Sequence, residues 1–490
     1  MHGTQNGFTT PNRINGSLSS ARSLSAYSNK WAVISASSLV VTSFCFLLDE
    51  IAEFDLWAVI LLCLASYAVI EWRKLPKQCY FLALVTLITA ILLYQKGGFT
   101  EESLKEGINR SAFYVLFITS FVIMGGVARS SPQIKQCSEV ILEQPPSRRY
   151  AVLTFASHLL SPLLSIGTGN LMGTIVKLST AQSVAGLDPL ITVIRRRRMT
   201  TAVMRGMCSI TLWSPTTLIV GVLLTTTPNL LWIDIAIPGA TAAFTLMSAG
   251  WILDWLTRPK NLSPDLSVRN GDMRRLMSFL PLLGLVLIIL IGSTVLESWF
   301  GVRQIIALLL CVITCSLVWL MIQGGSFINA LPHLNNRLRA EFVLTLTNSR
   351  GEVVIVTLAG LLGVFVSLQL SDSFLAGIVN SLGFDEAGTL IAISVLVLIT
   401  ANLGITPLIT IALAAESIWL IPDMQFNNQA VVFCFTGTWI IYTMTSPLSL
   451  QVRMLATAVD EDAFHIGIRW NGLFGLSTLM TLYLCIYLLS

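Results

Sequence analysis

Residues 210–221 read ITLWSPTTLIVG, and residues 441–452 read IYTMTSPLSLQV. Each sets a Ser-Pro pair among further hydroxyls inside an apolar stretch long enough to be helical. Proline removes an N–H donor and clashes with the carbonyl four residues back, so a helix opens at each pair. Each break follows a second interrupted stretch. Residues 150–194 carry Gly167-Thr168-Gly169-Asn170 at their centre, and residues 386–420 carry Asn402-Leu403-Gly404-Ile405-Thr406-Pro407. From Gly167 to Ser214 is 47 residues, and from Gly404 to Ser446 is 42. Two interrupted stretches in the same order, twice, predict an internal repeat.

The composition says where such helices sit. Of 490 residues, 54% are hydrophobic and only 11% are charged, against about 25% charged in an ordinary soluble domain. So few charges cannot cover a soluble surface of this size. A soluble enzyme, a nucleic-acid binder and a disordered scaffold are excluded, and an all-α polytopic membrane protein of about 11 transmembrane helices is expected. A span needs about 20 apolar residues. Candidates are 31–48, 56–70, 79–94, 111–127, 231–255, 276–296, 305–322, 353–370, 431–445 with its continuation, and 466–489. Alternating ten-residue segments, the mark of a barrel, are absent. The nine cysteines form no CxxC pair and read as small buried hydrophobes.

Lys and Arg in short loops fix the orientation. With the N-terminus in the cytoplasm, the basic residues before 31, at 73–77, 129–149, 195–205, 258–275, 337–350 and 453–469 fall inside. Of the 30, only Lys96, Lys105, Arg110 and Arg303 fall outside, with Lys177 unassigned in a broken stretch. The run Arg195–Arg198 reads as a topology-fixing stop signal, with a lipid head-group contact as the alternative. The bias requires 150–194 to enter and leave on the cytoplasmic side as a re-entrant hairpin, and 386–420 to do the same from outside. The plan of span 111–127, hairpin, broken span 200–226 and span 231–255 then recurs upside down as span 353–370, hairpin, broken span 431–458 and span 466–489. Inverted repeats with paired broken helices point to a secondary transporter with its site at the midplane.

The expected domains are a disordered cytoplasmic tail (1–30, not a cleaved signal peptide), N-terminal scaffold helices (31–95) and a first repeat (111–256). Linking helices with an amphipathic cytoplasmic segment at 331–349 (276–349) and a second repeat (350–489) follow. A multi-pass protein of the bacterial inner (plasma) membrane is expected.

Opened helices expose N–H groups that favour anions and carbonyls that favour small hard cations. The candidate site comprises Ser165, Gly167, Thr168, Gly169 and Asn170, then Ser214, Pro215, Thr216 and Thr217. From the second half come Asn402, Gly404, Thr406 and Pro407, then Thr445, Ser446, Pro447 and Ser449. Three ionisable residues could be charge partners. Lys177 meets an anion or snorkels to the cytoplasmic interface. Glu416 takes a proton or Na⁺, or sits at the outer rim. Arg453 binds an anion or marks the end of its span. His158, on the first hairpin's entry arm, is a proton relay or a packing residue.

Hairpin, unwound helix, then the same inverted, resembles the ion-transporter superfamily, to which the divalent anion/sodium symporters belong. The resemblance covers roughly 111–489 and lies in architecture and break positions. Those symporters carry Ser-Asn-Thr at both tips, where this chain has Gly167-Thr168-Gly169-Asn170 and Asn402-Leu403-Gly404-Ile405-Thr406; Thr225-Thr226-Thr227-Pro228-Asn229 loosely echoes a motif after the first unwound helix. The expectation is an elevator-type carrier of a small organic anion coupled to Na⁺ or H⁺. It would need no other cofactor, no catalytic residues, no metal beyond Na⁺ and no nucleic acid. Its surroundings are membrane lipid, and monomer and homodimer stay open. A flippase for a lipid-linked anion and a membrane-embedded glycan-processing enzyme are the alternatives. The latter fits less well, because the exterior loops are short and no His/Asp or paired-carboxylate constellation converges. No Gly-rich phosphate loop exists to use ATP.

Overall fold

The structure, a computed structural model, describes residues 30–142, 144–164, 167–181, 189–257, 273–323, 346, 349–369, 377, 381–421 and 424–490. The tail, Ser165 and the amphipathic segment (except Leu346 and Ser349) lie outside the described residues. Among the described residues there are helices and no strand, and nine helices are long and apolar enough to cross a membrane. One of the nine is the broken helix Asn428–Val459. The chain is an all-α polytopic membrane protein.

The first half opens with α1 (Lys30–Ala52), α2 (Trp57–Glu71), α3 (Lys77–Gln95) and α4 (Glu101–Arg129). A surface helix α5 (Pro132–Leu142) leads to the hairpin arms α6 (Pro146–Leu164) and α7 (Gly167–Ala181). The broken helix follows as α8 (Pro189–Ser209) and α9 (Leu218–Thr226), then α10 (Trp232–Leu256). Linking helices α11 (Leu280–Phe300) and α12 (Gln304–Gln323) precede α13 (Arg350–Ser367). The second hairpin is α14 (Glu386–Asn402) and α15 (Pro407–Ser417); the second broken helix is α16 (Asn428–Thr445) and α17 (Leu450–Val459), followed by α18 (Gly472–Leu489).

Helix ends are set by local chemistry. Thr100 and Ser103 form a reciprocal capping box at the start of α4, where Glu101 and Glu102 also favour the positive end of the helix. Asp385 caps α14 by accepting from Gly388 N at 2.7 Å. Gly301, at φ +65°, ends α11 in the left-handed region that a side chain would resist.

The two halves meet along α4 and α13. Gly107 of α4 lies against Leu361 and Phe365 of α13, and Ser111 lies against Gly360. Ser111 Oγ also donates to Thr357 O at 2.7 Å. Rising numbers on one helix meet falling numbers on the other, so the first spans of the two halves run antiparallel. The pairing continues in exchanged form: α7 packs on α17, and α15 packs on α9. Each hairpin's return arm therefore rests on the second half of the other repeat's broken helix.

The first broken stretch differs from its sequence reading. The hairpin ends at Ala181 and α8 begins at Pro189, so Arg195–Arg198 lie inside a helix and not in a loop. Three of the four are paired there. Arg198 forks onto Asp254 of α10 at 2.7 and 2.6 Å, and Arg196 bonds Glu461 at 3.0 Å. Arg195 reaches Ser179 Oγ at 3.5 Å. Arg195 and Arg198 tie α8 to α7 and α10, and Arg196 ties it to the segment after α17. Gly167-Thr168-Gly169-Asn170 is likewise the first turn of α7 rather than the hairpin tip itself.

Candidate functional site

At the second break, α16 ends at Thr445 and the chain extends through Ser446, at ψ 126°. Four hydrogen bonds of Ser449, Ser446 and Asn402 stitch the opening. Ser449 Oγ donates to Thr443 O at 3.0 Å and accepts from Val452 N at 3.2 Å, capping α17. Ser446 Oγ donates to Asn402 Oδ1 at 2.9 Å. The Asn402 side chain is itself held by donating to Leu398 O at 2.8 Å. The break and the end of the second hairpin's entry arm are thus in direct contact. Gly404, at φ +98°, makes the turn, and Thr406 leads into Pro407 at the start of α15, where a missing N–H costs nothing.

At the first break a short 3₁₀ turn, Ile210–Leu212, precedes Trp213. Ser214 is 1% exposed. Its Oγ lies 2.8 Å from Thr216 Oγ1, and Thr217 Oγ1 donates to Ser214 O at 2.8 Å. Pro215 is buried beside them. Asn170 is exposed at the α7 terminus, next to Gly169, which faces Met207 of α8 and Met454 of α17. Thr168 Oγ1 donates back to Leu160 O at 3.3 Å. The start of the first hairpin's return arm, the end of the second hairpin's entry arm and one break therefore lie around the start of α17.

The last span of each repeat lays a glycine on the carbonyl that ends the first half-helix. A Cβ on Gly239 of α10 would stand 2.1 Å from Leu212 O, and one on Gly467 would stand 2.2 Å from Thr445 O. Gly467 sits in a π-helical turn, His465–Trp470. Such turns shift the helix register and recur at functional sites. Neither glycine was singled out in the sequence; Pro238-Gly239 inside a span was the one available signal.

The ionisable candidates separate. Lys177 pairs with Asp460 at 2.5 Å, ten residues and about 15 Å of helix beyond Gly167. Glu416 forms an ion pair with Arg110 of α4, at the far end of α15 from the tip. Arg453 stays near the break: its N–H donates to Ser449 O at 3.1 Å, and its side chain is exposed. His158 is fully engaged. The Trp213 indole N–H donates to its Nε2 at 3.2 Å. An indole only donates, so Nδ1 carries the proton and donates to Ser209 Oγ (2.9 Å) and Gly206 O (3.2 Å). Trp213 O in turn accepts from Trp232 Nε1 at 2.9 Å. These bonds fix the residue at the break.

Both hairpins reach to one level of the scaffold. Gln78 Nε2, in the first turn of α3, donates to Gly404 O at 2.9 Å. The Arg129 guanidinium, in the last turn of α4, lies 3.6 Å from where a Cβ on Gly167 would stand. Pro76 lies against Gly351 at the start of α13. Gly167 and Gly404 thus lie beside those ends of α3 and α4 that join the arginine-rich segments. On the opposite face a cavity of about 860 Å³ opens, lined by Glu50, Glu101, Glu102, Lys105, Glu106 and Arg110 among others. Among the described residues no His, Cys, Asp and Glu group could hold a metal ion.

No protein-family model and no curated protein matches the sequence. Among solved structures, the chain is similar to the YdaH transporter of Alcanivorax borkumensis, described as having an unusual topology. The TM-score is 0.53 at 14% identity, covering 84% of this chain and 96% of that one. At that identity the likeness is one of fold.

Proposed function

We propose that the chain is a secondary active transporter of the elevator type, carrying a small organic anion with Na⁺, built on the plan of the ion-transporter superfamily. The observation that carries the reading is the exchanged packing of α7 on α17 and α15 on α9. It gathers both hairpins and both Ser-Pro breaks into one body, which supports the reading that the two halves share one site. The fold likeness to a protein described as a transporter supports it.

In this reading α6–α10 and α14–α18 form the carrier, and α1–α4 with α11–α13 form the scaffold. The N-terminal turn of α7 and Arg453 attract the anion through N–H groups and charge. The hydroxyls of Ser214, Thr216, Thr217, Thr406, Thr445, Ser446 and Ser449, with the Asn170 and Asn402 amides, are Na⁺ ligands by type. The arginine-rich face is cytoplasmic by charge bias, and the level of the two tips then corresponds to a carrier lowered toward the cytoplasm. Changing Ser446-Pro447 to Ala-Ala removes the Asn402 contact and lets the helix close. Uptake is expected to vanish while expression holds; uptake at the wild-type rate would place the site elsewhere.

A further inference from the structure

Resting on that reading, we propose that Arg110 and Glu416 form a latch that holds the second hairpin in its lowered position. The pair crosses the boundary between the two bodies, with Arg110 on scaffold α4 and Glu416 on carrier α15. The carboxylate is 8% exposed. It fits because α13 presents Gly363, where a Cβ would stand 3.0 Å from Glu416 Oε1 and 3.2 Å from Oε2. A buried ion pair resists separation because either charge left alone is poorly solvated.

The structure also holds the means of release. Arg110 Nη2 bonds a second carboxylate, Glu106, at 3.1 Å on its own helix, and that group is 56% exposed. When Glu416 departs, Arg110 keeps Glu106 as its partner. Glu416 would leave toward the exterior cavity, whose other cations are already matched: Lys105 with Asp55 and Arg303 with Glu50. No charge is stranded on the scaffold. At the other end of the same hairpin, Gln78 holds Gly404 through one neutral hydrogen bond, the weaker of the two ties.

The test places a cysteine at Leu403, which is 78% exposed at the tip, and measures its labelling by an impermeant thiol reagent from each side of the membrane, with and without Na⁺. Glu416→Gln and Arg110→Met are expected to raise the outside-to-inside ratio by roughly tenfold or more. The double variant Arg110→Met/Glu416→Met leaves no lone buried charge and should fold and show the same rise. Gly363→Ala, which crowds the carboxylate, should raise the ratio too, and Glu106→Gln should lower it. A double variant expressed normally with the wild-type ratio would overturn the latch alone. No outside labelling in any variant would overturn the moving carrier, and the latch with it.

Discussion

Replacing Gly467 by alanine puts a methyl carbon 2.2 Å from Thr445 O and 3.0 Å from the carbonyl carbon. A carbon–oxygen contact needs about 3.3 Å. Either the π-helical turn or the end of α16 must therefore retreat by about 1 Å, and both are backbone. Overpacking of this kind costs about 1–3 kcal/mol. Its structural target is the break itself, since Pro447 N lies 3.5 Å from the same point. The unfolding temperature in detergent should fall by about 1–3 °C, and uptake by more than about tenfold, because misplacing binding groups by 1 Å is costly. Gly239→Ala, at 2.1 Å from Leu212 O, should behave alike. Gly284→Ala is the control: nothing lies within 4 Å of its Cβ position in the interior of α11. It should be neutral or gain up to about 1 kcal/mol of helix propensity. If Gly467→Ala and Gly284→Ala unfold at the same temperature, the close approach to the break is refuted.

Further outcomes follow from the same geometry. Asp254→Asn removes the forked partner of Arg198 and should cost about 1–3 kcal/mol, read as a lower unfolding temperature; Asp254→Glu should recover part of it. His158→Gln offers both an acceptor for Trp213 and a donor for Ser209, so it should keep most uptake. His158→Ala strands the indole N–H and should lose stability by about 1–3 kcal/mol. In proteoliposomes an inward Na⁺ gradient at equal pH should drive accumulation, and a proton gradient without Na⁺ should not. Accumulation by protons alone, lost in Glu416→Gln, would make that residue the carrier. Cysteines in 131–147 should label only from the cytoplasm and those in 372–384 only from outside; labelling from one side would end the inverted arrangement.

The breaks were legible in the sequence because proline and glycine act locally: Pro215, Pro447 and Gly404 open or turn the chain wherever they stand. What depended on distant partners was not. Four consecutive arginines read as a loop, yet Asp254 and Glu461 let them sit within α8. Lys177 and Glu416 were ambiguous for the same reason, since Asp460 and Arg110 lie 283 and 306 residues away. Gly467 gave no signal and Gly239 only its neighbour Pro238, because a glycine in a span can serve a turn, a kink or a neighbour, and only packing says which. Arg110, expected outside and just before span 111–127, lies within α4, because Thr100 and Ser103 start that helix ten residues earlier.

The most direct test of the account is uptake by proteoliposomes of a panel of small radiolabelled organic anions under an inward Na⁺ gradient, with wild-type protein and the Ser446-Pro447→Ala-Ala variant side by side. At least one anion is expected to accumulate with the wild type and none with the variant, at equal reconstitution. Equal accumulation by both would contradict a site built on the opened helices, and no accumulation by the wild type would contradict the carrier itself.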